Sequence, residues 1–167
     1  MRIFGIDCGT EFTGWGVVEA RETPRERVLV PIAHGAIRLS KRDSTAQRLH
    51  VVHTRLCELI EMHQPEGVAI EEVFYSVNAK SALKLGQVRG VALLAAAGCG
   101  VAVAEYAPLA IKSAVVGYGL AKKEQVQFMV MRLLGLNEAP ETMDASDALA
   151  IAICHIHTAE TIRRQAG

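Results

Sequence analysis

A chain of 167 residues suits one domain with a single core of ordinary size, so residues 1–167 are expected to form one unit with no room for two lobes. Hydrophobic residues make up 50% and charged residues 22%, but the apolar stretches break well short of the roughly 20 residues that span a bilayer, and "MRIFGID" lacks the parts of a signal peptide; a soluble, cytoplasmic protein without membrane contact is expected. Lys plus Arg equals Asp plus Glu at 18 each, so total charge excludes a globally basic nucleic-acid binder, and any such surface must come from local distribution.

In chain order, "MRIFGID" is an apolar, β-branched run ended by a glycine-containing turn, which predicts a strand. "WGVVEA" predicts a second, and "PIAHGAIRLS" a third behind the polar connection "RETPRER", together an antiparallel meander. From Ser44 the period changes: Leu49, Val52, Leu56 and Leu59 recur at steps of three and four, an amphipathic helix stopped by "QPEG". "VAIEEVF" predicts a buried fourth strand. Asn78 is placed to cap a helix over "AKSALKLGQVRGVALLAAAG", with Leu85, Val88, Ala92 and Ala95 on one stripe, and "VAVAEYA" supplies a fifth strand. Two further helical patterns follow, "KKEQVQFMVMRLLG" and "DASDALAIAICHIHTAETIRR", separated by the loop "LNEAPETM". Three leading strands and then alternating helices and strands indicate an α/β domain, a mixed five-stranded sheet flanked by helices.

The four cysteines, Cys8, Cys57, Cys99 and Cys154, are scattered and form no C-x-x-C pair, so reduced thiols in or near the core are expected rather than a zinc site or a disulfide framework.

The acids are more telling. Asp7 ends the first strand, and ligands in open α/β sheets favour that edge. Side chains alternate along a strand, so Ile3, Gly5 and Asp7 share a face, as do Gly67, Ala69 and Glu71 in the fourth. If those strands are neighbours, Asp7 and Glu71 converge while Glu72 points away; taken alone, Glu71 fits a polar residue at a strand end equally well. Asp144 and Asp147 lie three apart at the start of the last helix, where acids are favoured by the dipole, but their stripe continues through Ala148, Ile151 and His155 toward the core. Carboxylates facing a core need a partner, and with no Lys or Arg close by in the sequence a metal is the economical one. An all-oxygen set suits Mg²⁺ or Mn²⁺ and is a poor match for zinc. Two such ions can assist phosphodiester hydrolysis.

The stretches "GIDCGTEFTGWGVV", "VAIEEVF", "NAKSALKLGQVRGVA" and "DASDALAIAICH" resemble, in order and spacing, the successive motifs of the RuvC family of Holliday junction resolvases. The resemblance spans nearly the whole chain. It implies an RNase H-like fold and a structure-specific endonuclease of recombination and DNA repair, a homodimer that nicks two strands of like polarity in a four-way DNA junction and leaves 5′ phosphates and 3′ hydroxyls. It further implies two Mg²⁺ ions per subunit, with Mn²⁺ able to substitute, and work alongside the RuvA and RuvB branch-migration proteins. Carried over by motif, Asp7, Glu71, Asp144 and Asp147 would be the catalytic metal ligands, with Lys123 catalytic as well. Cys8 stands where many relatives have proline, which puts an oxidisable thiol beside the acids.

The same resemblance marks Phe74 as an aromatic that approaches the bases at the junction centre, where an apolar wedge can unstack a step. It marks Lys112 and Lys123 for phosphate contact, and Lys80 and Arg89 join them as DNA-binding candidates. From Ala79 to Arg132 the basic residues are Lys80, Lys84, Arg89, Lys112, Lys122, Lys123 and Arg132 against acidic Glu105 and Glu124, a local excess of five positive charges. Any one of these lysines, alone, would read as a solvated helix residue. His155 and the pair His50 and His53 read as packed or outward-facing rather than as ligands. The first turn also resembles the phosphate loop of the actin-like and sugar-kinase ATPases, which need two lobes. An RNA-processing RNase H-like nuclease and a catalytically silent junction binder are the other readings.

Overall fold

The computed structural model describes residues 1–72 and 78–166. Strands β1 (Arg2–Asp7), β2 (Phe12–Glu22) and β3 (Arg27–Arg38) form the antiparallel meander, β4 (Gly67–Glu71) joins β1 in parallel, and β5 (Val103–Tyr106) joins β4 in parallel. The sheet order is β3-β2-β1-β4-β5, the mixed five-stranded, RNase H-like arrangement expected from the sequence. Helices α1 (Thr45–His63) and α2 (Ala79–Gly98) cover one face; α3 (Pro108–Val116), α4 (Lys123–Leu134) and α5 (Met143–Ala166) cover the other.

Strand alternation divides the core in two. Phe4 and Ile6 of β1 pack with Val52 and Leu56 of α1 and Val88 and Ala92 of α2. Ile3, on the other face of β1, packs in a cluster with Val126 and Val130 of α4 and Leu149 and Ile153 of α5. Local signals set the element ends. Ser44 accepts a hydrogen bond from the Gln47 amide at 3.3 Å while the Gln47 side chain accepts from the Ser44 amide at 2.8 Å, a capping box that starts α1. The Asn78 side chain accepts from the Lys80 amide at 3.0 Å and the Ser81 amide at 3.4 Å, which starts α2 at the residue expected from the sequence.

Two expectations need correction. "RETPRER" is not a loop: Arg21 and Glu22 continue β2, Arg27 begins β3, and only Thr23–Glu26 turns, closed by the Thr23 amide donating to the Glu26 carbonyl at 2.9 Å. The pairing of Glu22 with Arg27 across the strand ends explains how so polar a sequence stays in a sheet. The nine-residue α3 is an additional helix. Its signals are Pro108 at its start, the buried pair Ile111 and Val115 four apart, and Gly117 at φ 81° as a left-handed cap, all short enough to be hidden beside a strand.

Helix α5 lies against the sheet at backbone contact. A Cβ on Gly5 of β1 would overlap the Ala148 carbonyl oxygen, and one on Gly14 of β2 would overlap the Asp144 carbonyl oxygen. Both clashes are with backbone, which cannot swing aside. Gly5→Ala should therefore lower stability by about 3 kcal/mol or more, seen as a fall of about 6–12 °C in the thermal midpoint for a chain of this size. Gly98→Ala, at the end of α2 where an added Cβ meets nothing within 4 Å, should not lower the midpoint.

Candidate active site

The parallel pairing of β1 with β4 runs from Ile3 opposite Gly67 to Ile6 opposite Ile70, and an acid follows each final partner: Asp7 and Glu71. Gly5 lies under α5 and Ala69 packs in the same core as α5, so alternation turns Asp7 and Glu71 toward that helix as well. Asp147 comes from its second turn. Asp7, Glu71 and Asp147 line one cavity of about 230 Å³, together with Lys112 of α3, Lys123 of α4 and apolar walls from Ile111, Val126 and Ile151. Asp144 stands three residues earlier on α5 and does not line that cavity; its Oδ1 is 3.8 Å from where a Cβ on Gly9 would be, beside the turn after β1.

The charges at this edge are poorly balanced. Burial first, then the charges of Asp147, Glu71 and Asp144, push the Asp7 carboxyl up to about 8, with only Lys123 opposing. Burial and Asp147 also raise Glu71, against Lys123 and Lys112. The sequence near Asp147 holds no basic neighbour, but the fold brings one from α4: Lys123 Nζ donates to Asp147 Oδ2 at 3.1 Å, and that hydrogen bond holds the lysine above its ordinary range. Two ammonium groups do not offset four carboxylates. The donors are all oxygen, as a hard divalent cation requires, and the strain on Asp7 is what a cation would relieve. Among the described residues no three acidic, histidine or cysteine side chains stand close enough to enclose an ion as they are. The set thus fits a metal in donor type and charge, and its side chains would have to turn inward to hold one.

The remaining candidates divide. Lys80 is exposed on the first turn of α2. Arg89 is turned inward: its Nε donates to the Glu71 carbonyl at 3.3 Å and its guanidinium pairs with Glu105, so it braces the end of β4. Phe74 lies outside the described residues. Burial and the charge of Asp7 push the Cys8 thiol up to about 12, so the liability expected of it is small, since the thiolate is the oxidisable form. No cysteine is disulfide-bonded, and Cys154 is buried. His155 is packed as expected, its Nδ1 3.0 Å from the Tyr106 hydroxyl and its basicity lowered by burial.

Acids at the strand ends of an RNase H-like sheet, with lysines facing them across a small cavity, define a phosphodiester hydrolase. The family model described as "Crossover junction endodeoxyribonuclease RuvC" matches residues 3–155. A RuvC from Acidobacterium capsulatum is 65% identical over 168 residues, covering 99% of this chain and 98% of its own, and one from Koribacter versatilis is 59% identical over 164 residues, covering 98% and 97%. The Thermus thermophilus RuvC solved in complex with Holliday junction substrate superposes with a TM-score of 0.87 at 33% identity, covering 96% of each chain. The chain belongs to the RuvC family of crossover junction endodeoxyribonucleases.

A carboxyl raised from 3.8 to about 8 destabilises the fold where the unfolded chain has released its proton and the native chain still holds it, so stability falls as pH rises across that window. In EDTA, the stability of the wild type against heat or urea should therefore fall between pH 4 and 8 by up to about 1.4 kcal/mol per unit. Asp7→Asn should remove that part of the dependence and be the more stable protein at pH 8. A wild type and variant with the same pH profile would mean that Asp7 is not charge-strained.

Proposed function

We propose that residues 1–167 form one nuclease domain that resolves four-way DNA junctions, nicking two strands of like polarity in a divalent-metal-dependent reaction that leaves 5′ phosphates and 3′ hydroxyls. The observation that carries the reading is the meeting of Asp7, Glu71 and Asp147, from two parallel strands and α5, in one cavity with Lys112 and Lys123. Family membership and the Thermus thermophilus relative crystallised with Holliday junction substrate support the choice of substrate.

In this reading Asp7, Glu71, Asp144 and Asp147 hold two Mg²⁺ ions, with Mn²⁺ as a substitute. Such ions supply Lewis acidity at the phosphodiester and acidify water near it. The chain does the rest. Asp7, nearest the centre of the acidic set, is the ligand whose charge costs most without a cation. Lys123, tied to Asp147, and Lys112, facing Glu71, present ammonium groups to the phosphate, where they can steady developing negative charge or deliver a proton. The apolar wall of Ile111, Val126 and Ile151 excludes bulk water from one side. Phe74, five residues or fewer from both β4 and α2, is proposed as the wedge at the junction centre, and Lys80 as a phosphate contact at the start of α2.

A symmetric pair of nicks needs two sites, and we propose a homodimer built on the outer face of α2. The stripe of Leu85, Val88 and Ala92 does not supply it, because Val88 and Ala92 are spent on the monomer's own core. A second stripe is free: Leu83 is 71% and Leu94 61% exposed, and Gly86 and Gly90 between them have open space where a Cβ would project. Small residues at that spacing let a second helix approach closely. The branch-migration proteins RuvA and RuvB are proposed as partners and the cytoplasm as the compartment; no helix among the described residues is long and apolar enough to cross a membrane.

Two tests follow. A labelled four-way junction, a linear duplex and an RNA·DNA hybrid of matching sequence are incubated with Mg²⁺ or EDTA. Paired nicks confined to the junction and abolished by EDTA are expected, and Asp7→Asn should lose more than about 100-fold in rate, beyond what loss of a mere supporting group costs, while still binding the junction. Cutting of the hybrid instead would move the substrate to RNA, and binding without cutting would make the chain a silent junction binder. For the dimer, Leu94→Glu should shift sedimentation from two chains to one with the monomer still folded; a wild type that sediments as one chain would overturn this interface.

A further inference from the structure

The strongest feature outside the acidic cavity lies across the turn that follows Asp7, on the other face of the sheet. A cleft there is lined by Thr10 of the turn, Thr45 and Arg48 of α1, and Lys84 and Gln87 of α2. The Arg48 guanidinium donates to the Thr10 carbonyl, yet its Nε is buried with no hydrogen-bond partner among the described residues. An orphaned buried donor costs about 1–3 kcal/mol. Ser146 Oγ is the other such atom among the described residues, whereas Arg2, Arg21, Arg27, Arg55, Arg89 and Arg164 each hold a carboxylate. Neither Arg48 nor Lys84 forms an ion pair among the described residues, although Arg48 lies within electrostatic reach of Glu11; two cations, two hydroxyls and an amide line the cleft together with Leu39, Leu49 and Val88, with no acid in the lining.

We propose that this cleft is a second phosphate-binding subsite, which grips a backbone phosphate of the strand being cut. The inference rests on the junction-nuclease reading. The innermost space is about 30 Å³, room for one or two oxygen-sized groups and too small for a base. A guanidinium and an ammonium lining one cleft with neutral donors match the oxygens of a phosphodiester in chemistry. Thr10 is three residues from Asp7, at most about 11 Å of chain, or about three nucleotide steps at 3.4 Å rise. A strand leaving the acidic cavity over the Gly9–Thr10 turn therefore reaches the seam between α1 and α2 within a few nucleotides. Through its bond to Thr10, Arg48 also couples that grip to the turn that carries Asp7.

The test is the salt dependence of junction binding in EDTA, for the wild type, Lys84→Gln, Arg48→Gln, Arg48→Lys and the control Arg55→Gln, whose residue pairs with Glu58 elsewhere on α1. Lys84→Gln and Arg48→Gln should each make the slope of log K against log salt shallower by about 0.7–0.9. Arg48→Lys should keep most of the wild-type slope, because it keeps the charge, and Arg55→Gln all of it. Unchanged slopes for Lys84→Gln and Arg48→Gln, or an equal change for Arg55→Gln, would overturn the subsite. Junction nicking by the same wild-type preparation is scored in parallel. Failure to nick counts against the nuclease reading, whereas nicking with unchanged slopes counts against the subsite alone.

Discussion

The close approach of α5 to the sheet is the constraint on which the rest depends. Helices ordinarily stand off a sheet by the thickness of two layers of side chains, about 10 Å. Here Gly5 and Gly14 contribute none, and the α5 backbone settles onto β1 and β2 at Ala148 and Asp144. This is why a carboxylate on a short side chain, aspartate rather than glutamate, suffices at positions 144 and 147 to meet the charge of Asp7. Were the helix an ångström or two higher, the same residues would face one another through water, and their mutual repulsion would be screened away.

That closeness has an electrostatic cost, and the fold supplies only part of the remedy. Lys123 binds Asp147 but arrives from a different helix and leaves Asp7 and Glu71 still raised. A fully neutralised cluster would be more stable and would have no reason to take up a cation. The deficit of positive charge at the site is thus a stored affinity, held in place by packing that the two glycines and the Leu149 and Ile153 core make hard to relax.

Much of this was legible in the sequence because it rests on short periods and local signals. The alternation Ile3, Gly5, Asp7, the cap at Asn78 and the three-residue spacing of Asp144 and Asp147 each specify geometry within one element. What was not legible depends on contacts between elements. Lys123 is 24 residues from Asp147 and no spacing rule joins them. Arg89 counts as a positive charge in the sequence, but Glu105 lies on the strand next to the one it braces, and that pairing, which no spacing rule shows, makes it a strut at the end of β4. Helix α3 hid in nine residues that are apolar or small but for Lys112, and Arg48 carries no sequence signal because its meaning lies in the missing partner of one nitrogen atom.

The overall neutrality of the chain also takes on a different sense. Ion pairs gather at the end of the sheet remote from Asp7: Arg2 and Arg21 with Glu19, Arg27 and Arg163 with Glu22, and Arg164 with Glu160. The acids there are consumed by their neighbours, which leaves that end locally balanced. At the Asp7 end Asp7, Glu71 and Asp147 gather in the cavity and Glu11 holds Lys41, while Lys80, Lys84, Lys112 and Arg48 form no ion pair among the described residues. On the proposed reading, a phosphate backbone at this edge would be drawn by these unpaired cations and repelled by the acids until metal ions balance them. On the proposed junction-nuclease reading, equal numbers of positive and negative residues, sorted in this way, would concentrate the attraction for DNA at one edge and make the grip at the cutting point conditional on metal.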